Sequence, residues 1–178
     1  KFLDAARQIM GVDFLNDFIP TIVAILRALA YQQWEKGDVA EKLAVKLIEQ
    51  NRRLFKLLTR SVPEDHPPGE ADRHDAAVDA QVLRHLRNIS RISGELLGEL
   101  SRLSVTHHYT GRHAQVMNAL EQLEEQSTAL YKQGSLIYWL ETPVDRKVLR
   151  AIPKNLNRIL HTQLWSKGIP AILTSGTL

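Results

Sequence analysis

Residues 82–137 read VLRHLRNISRISGELLGELSRLSVTHHYTGRHAQVMNALEQLEEQSTALYKQGSLI, and their spacing decides what kind of fold this is. Val82, Leu86, Ile89, Ser93, Leu96, Leu100 and Leu103 alternate steps of four and three, as do Val116, Leu120, Leu123, Ser127, Leu130, Gly134 and Ile137. Such a repeat keeps one stripe of an α-helix turned toward a partner, with one small polar interruption in the first seam. The polar turn from His107 to Gly111 separates the two seams. They therefore predict an antiparallel helical hairpin, each helix about 36–39 Å long at 1.5 Å per residue.

Two more helices precede the hairpin. Phe14, Phe18, Ile22, Leu26 and Leu29 predict a helix over 13–36, with a break or restart at Pro20 and an end at Gly37 and Asp38. Leu43, Leu47, Leu54 and Leu58 predict a second over 39–60, closed by residues 61–69, where Pro63, Pro67 and Pro68 forbid continuation. After Ile137 the texture changes. Tyr138 to Leu140 and Val148 to Ile152 are short apolar runs, the second closed by Pro153. Residues 155–166 form an amphipathic helix with Leu156, Ile159, Leu160 and Leu164 inward, stopped by Gly168, and Ile169 to Leu173 reads as a buried strand. The expected fold is mainly α: an elongated antiparallel helical insertion followed by a small α/β segment.

Composition narrows the possible chemistry. In 178 residues, 44% are hydrophobic and 24% charged, which suits one folded domain of ordinary size. There is no cysteine, so these residues hold no disulfide, no thiolate metal site and no cysteine nucleophile. The net charge of +3 is unevenly placed. Residues 1–75 carry 11 basic and 12 acidic side chains, residues 76–137 carry 6 and 6, and residues 138–178 carry 6 and 2. The basic excess therefore sits in the last stretch, which suggests two functional parts. The richest apolar run, Ile19 to Tyr31, contains Arg27 and falls short of the roughly 20 residues a membrane span needs, so no membrane partner is expected. The abrupt start at Lys1 and the stop inside an apolar run read as a piece of a longer chain.

The segments Tyr138-Trp139-Leu140-Glu141, Ala151-Ile152-Pro153-Lys154-Asn155-Leu156, Leu164-Trp165-Ser166 and Pro170-Ala171-Ile172-Leu173-Thr174-Ser175-Gly176-Thr177-Leu178 resemble the DinG/XPD-type helicases of superfamily 2. The last five residues match one form of that family's motif III, and Lys1-Phe2-Leu3-Asp4-Ala5-Ala6-Arg7 resembles the stretch just after its Asp-Glu-Ala-His box. The resemblance is specific over residues 138–178. It rests on helicity and position alone over the stretch where the family carries its arch domain.

The resemblance implies three parts: residues 1–12 leaving a RecA-like motor domain, 13–137 forming the helical arch, and 138–178 returning to the motor. It implies a cytoplasmic, monomeric, ATP-dependent DNA helicase that moves 5′ to 3′ on single-stranded DNA, the arch lining the strand's channel. ATP and magnesium would bind mainly on the rest of the motor, because here no glycine is followed by Lys and no Asp-Glu pair occurs. These residues alone are expected to be inactive. An iron–sulfur cluster, where relatives have one, precedes the Asp-Glu-Ala-His box, so the missing cysteines are silent about it.

Four groups of residues are candidates for function. By the resemblance, Thr174, Ser175, Gly176 and Thr177 couple hydrolysis to strand movement; small residues at the end of a buried strand suit hydrogen bonds that change as domains move. Lys154, Asn155 and Arg158 surround the start of the last helix, where backbone N–H groups favour a phosphate, although Asn155 equally suits an N-cap. Arg84, Arg87 and Arg91, spaced by three and four, form either a track for a single strand or an ordinary solvated face. Arg52, Arg53, Lys56 and Arg60 form a more ordinary cluster at a helix C-terminus. His107, His108 and His113, or His66 and His74 among Glu64, Asp65, Asp72 and Asp75, lack the spacing of a metal site. Trp34, Trp139 and Trp165 are expected as core anchors. The alternative to the helicase reading is a non-enzymatic helical interaction module; a stand-alone hydrolase ranks last, with no nucleophile elbow or metal signature.

Overall fold

A computed structural model describes residues 7–11, 18–28, 34–62, 73–105, 107–132, 135–142, 147–163 and 165–167. Among them, α1 spans Phe18–Arg27, α2 Trp34–Leu58, α3 Ala80–Ser101, α4 Thr110–Lys132 and α5 Leu156–Gln163. The strands are β1 at Arg7–Met10, β2 at Arg73–Asp75, β3 at Leu136–Glu141 and β4 at Val148–Pro153. No helix among the described residues is long and apolar enough to cross a membrane.

The hairpin forms from the two seams. Asp79 starts α3 as its N-cap, its side chain accepting from the Val82 N–H at 2.8 Å. Val82, Leu86, Ile89, Ser93, Leu96, Leu100 and Leu103 are all buried, and so are Val116, Leu120, Leu123, Ser127 and Leu130 on α4. Two cross-links define the antiparallel sense. Ser90 and Thr128 share a hydroxyl hydrogen bond of 2.6 Å, and His113 Nε2 donates to the Leu100 carbonyl at 3.0 Å. Ser127, which interrupts the second seam, donates back to its own helix at the Leu123 carbonyl, 2.6 Å away.

The second seam stops earlier than expected. Its final position, Ile137, lies in β3 and is 46% exposed, and Gly134 lies outside the described residues. After Lys132 the apolar period switches from 3.5 to 2, so Leu136, Tyr138 and Leu140 take the core-facing positions and Ile137 turns away. The expected helix over 13–36 is also corrected. The chain forms α1 from Phe18, with Pro20 in its first turn, where a missing N–H costs nothing. A new helix, α2, then begins at Trp34, so Gly37 and Asp38 open it and do not end the one before. Asp38 is favourable there because it sits at the positive end of the helix dipole and pairs with Lys42 at 2.6 Å. At the other end of the chain, α5 stops at Gln163, short of the expected Ser166, and Trp165–Lys167 comes after it as a separate single turn.

The two short apolar runs pair with each other as the β3–β4 hairpin. β1 joins the far side of β4, and β2 joins the far side of β3. All three pairings are antiparallel, in the order β1-β4-β3-β2. One face carries Ile9, Leu149, Ala151, Leu136, Tyr138 and Leu140 toward the helices, and the Tyr138 hydroxyl donates to the Leu130 carbonyl at 2.6 Å. One hydrophobic cluster runs from this face through Phe18, Leu47, Leu86 and Leu120. The fold is thus mainly helical with a small antiparallel sheet. The expected buried strand at Ile169 to Leu173 lies outside the described residues.

Candidate functional site

The motif III residues Thr174, Ser175, Gly176 and Thr177 lie outside the described residues. The other candidates fall in two places. Lys154, Asn155 and Arg158 come together where β4 turns into α5, all exposed. The Lys154 N–H donates to the Ser135 carbonyl at 2.9 Å, one bond beyond the Leu136–Pro153 end of the β3–β4 ladder, while the Asn155 carbonyl accepts the first α5 bond, from Ile159 at 3.1 Å. Asn157 Oδ1 already accepts from the Arg158 N–H at 2.7 Å, so one of the donors at this helix start is satisfied within the chain.

Arg84, Arg87 and Arg91 are all exposed on α3 but differ in their surroundings. Arg91 ion-pairs with Glu95 one turn on, and the Arg87 guanidinium lies over the Tyr131 ring of α4, 5.6 Å from its centre. Arg84 makes no ion pair among the described residues and stands beside His85. His85 Nδ1 donates to Gln50 Oε1 of α2 at 2.9 Å, and Asn88 Nδ2 donates to the same oxygen at 3.2 Å. This bridge brings Arg53 of the second basic cluster on α2 near Arg84, the charges of both acting on His85. His85 registers the result: burial, then the charges of Arg53 and Arg84, push its proton affinity down, and Asp79 only partly opposes them.

Sequence reasoning missed a second polar cluster on the outward face of the sheet. Trp139 and Glu141 project from β3, opposite Arg150 of β4 and Arg73 of β2. Glu141, with its side chain 12% exposed, accepts from Arg150 Nε at 2.6 Å and from Trp139 Nε1 at 2.9 Å, and Arg73 Nε stands 3.5 Å away. Burial alone raises the proton affinity of this carboxyl, but the bonds from Trp139 and Arg150 and the two guanidinium charges more than reverse that, so it ionises below the usual carboxylate range. An ionised carboxylate saturated with donors ties three strands together and has no proton to deliver. The signal in the sequence was the alternation of Trp139, Glu141 and Arg150, which is decisive only once the register is known.

Two of the three tryptophans depart from the expected core positions. Trp139 lies half-buried on the outward face and Trp165 is 42% exposed, so neither is a core anchor; the side chain of Trp34 lies outside the described residues. His107 and His108 are exposed, His113 is engaged with Leu100, and His66 lies outside the described residues. Among the described residues, no group of three or more His, Cys, Asp or Glu side chains is placed to hold a metal ion.

The arrangement therefore offers charge and hydrogen-bond donors on its surface, suited to binding an anion. No family model, curated protein or solved structure matches this chain.

Proposed function

We propose that this chain is part of an ATP-dependent DNA helicase of DinG/XPD type. It supplies the helical arch that walls the single-strand channel and the motif III segment that couples hydrolysis to movement. The observation that carries the reading is the pairing of β1 with β4, in register from Arg7 opposite Ala151 to Met10 opposite Val148. An insertion must leave and rejoin its host at neighbouring points. Here β1, whose first residue Arg7 ends the stretch that resembles the sequence after an Asp-Glu-Ala-His box, lies hydrogen-bonded to β4, which leads toward motif III, and the helices lie between them in the chain. The host in this reading is a RecA-like motor, and ATP and magnesium are held by its residues beyond this chain. The interaction-module alternative needs a free heptad seam, whereas Leu86, Leu96 and Leu120 are already fully buried within the chain.

In this reading Thr174, Ser175, Gly176 and Thr177 exchange hydrogen bonds between motor domains, and Lys154 and Arg158 attract the phosphate backbone. The test is made in the intact helicase. Its ATPase should be stimulated by single-stranded DNA, and the double variant S175A/T177A should keep that stimulated hydrolysis while losing unwinding. Unwinding at the wild-type rate in the double variant would refute the assignment.

A further inference from the structure

The bridge from Gln50 to His85 and Asn88 joins α2 and α3 on one solvent-facing surface. On α2, Lys46, Arg53 and Lys56 succeed one another at helical spacing, and Arg60 continues the line in the single turn after it. From Lys46 to Arg60 the line is about 20 Å long at 1.5 Å per residue. Arg84 of α3 adds its charge near Arg53, both acting on His85. All five cations are exposed. The nearby carboxylates are engaged elsewhere or neutralise one cation each: Asp79 caps α3, Glu49 pairs with Arg53, and Glu95 pairs with Arg91. Lys46, Lys56, Arg60 and Arg84 make no ion pair among the described residues. Among the described residues, five cations on this face stand against two carboxylates, Glu49 and Asp79, and a polyanion relieves the repulsion that the excess leaves.

We propose that the α2–α3 face binds the phosphate backbone of a single-stranded nucleic acid, with Arg53 and Arg84 next to the Gln50–His85 bridge in their own helices and with Lys46, Lys56 and Arg60 extending the track. The choice of a single strand rests on the helicase reading; the charge geometry stands without it. Arg53, Lys56 and Arg60 follow one another at about one helical turn, about 5.4 Å, and can meet successive phosphates of an extended strand, with Lys46 two turns before Arg53. Neutralised phosphates release counterions, so binding must weaken steeply with salt.

The experiment is fluorescence anisotropy of the 178-residue chain with a labelled oligothymidylate between about 50 and 200 mM salt. The triple variant R53Q/K56Q/R84Q should bind about 10- to 100-fold more weakly at the lowest salt. Its log–log salt slope should be shallower by about 2, near 0.7 for each phosphate no longer neutralised. Circular dichroism confirms that the variant is folded, and R53K/R84K should restore wild-type binding. The comparison variant R112Q/K147Q removes two exposed cations elsewhere and should leave binding unchanged. Wild-type binding by the triple variant, an equal loss in R112Q/K147Q, or no oligothymidylate binding by the parent chain overturns the proposal. Duplex DNA or polyglutamate binding more tightly than the single strand would overturn the ligand class. Failure of the helicase reading shows separately: normal unwinding in S175A/T177A removes that reading and leaves the face standing, provided the triple variant loses oligothymidylate.

Discussion

Replacing Asn51 with leucine should make this protein more stable. Asn51 is 0% exposed on the core stripe of α2, between Leu47 and Ile48 on one side and Leu54 and Phe55 on the other. Neither its Nδ2 nor its Oδ1 has a hydrogen-bond partner among the described residues. An orphaned buried polar group costs about 1–3 kcal/mol, because folding strips its water and returns nothing. Leucine removes that cost and adds about 1.5–3 kcal/mol of apolar burial, while forcing a branched side chain into a packed site takes back about 1–3 kcal/mol. The net expectation is a gain of about 1–2 kcal/mol, or a melting temperature higher by about 2–8 °C for a chain of this length. Urea denaturation followed by circular dichroism measures it, with an unchanged m-value as the sign that only native stability moved. N51A should be close to neutral, since the lost packing and the lost orphan oppose each other. A loss of more than about 1 kcal/mol in both variants would refute the reasoning, because it would mean the amide makes favourable bonds in the fold.

Other perturbations test separate parts of the structure. D79A removes the side-chain cap of α3 and should cost about 1 kcal/mol in the same denaturation assay. Gly98 lies inside α3 with open space where a Cβ would stand, so G98A should stabilise by about 0.5–1 kcal/mol. A Cβ on Gly11 would stand 2.9 Å from the Lys147 carbonyl, which the β1–β4 ladder holds in place, so G11A should instead lower the melting temperature. E141Q should cost about 1.5–3 kcal/mol at neutral pH, because the ionised carboxylate bonds both Arg150 and Trp139. Since the folded carboxyl ionises below its unfolded value, its contribution is present above about pH 4.3 and is lost as pH falls through the lower folded value. The stability gap between wild type and E141Q should therefore hold from about pH 7 to 5 and close on further acidification; a gap that widens in acid would contradict this account.

What could be read before folding was local. The 3.5-residue repeats of α3 and α4 are recorded within one turn of each residue, so the hairpin was legible down to the buried serines at positions 93 and 127. Boundaries were less so, because one residue type serves two roles. Gly37 and Asp38 suit a helix end and a helix start equally, and only the position of Trp34 at the head of α2 separates them. Ile137 sits at both a heptad step and a strand step, and the pairing with Ile152 selects the strand.

The candidate site divides in the same way. That Arg84, Arg87 and Arg91 are exposed was implied by their spacing opposite the seam, a property of one helix. That Arg91 is matched by Glu95, Arg87 leans on Tyr131, and Arg84 joins Arg53 beside His85 depended on which helix lies next to which. No periodicity carries the pairing of Arg7 with Ala151 or the meeting of Arg73, Glu141 and Arg150, because these contacts join residues far apart in the chain. Helical stripes, caps and composition were set by the order of residues alone. The sheet order, the carboxylate held by two arginines and the basic face shared by α2 and α3 were decided by tertiary packing, which alone sets the distance between distant charges.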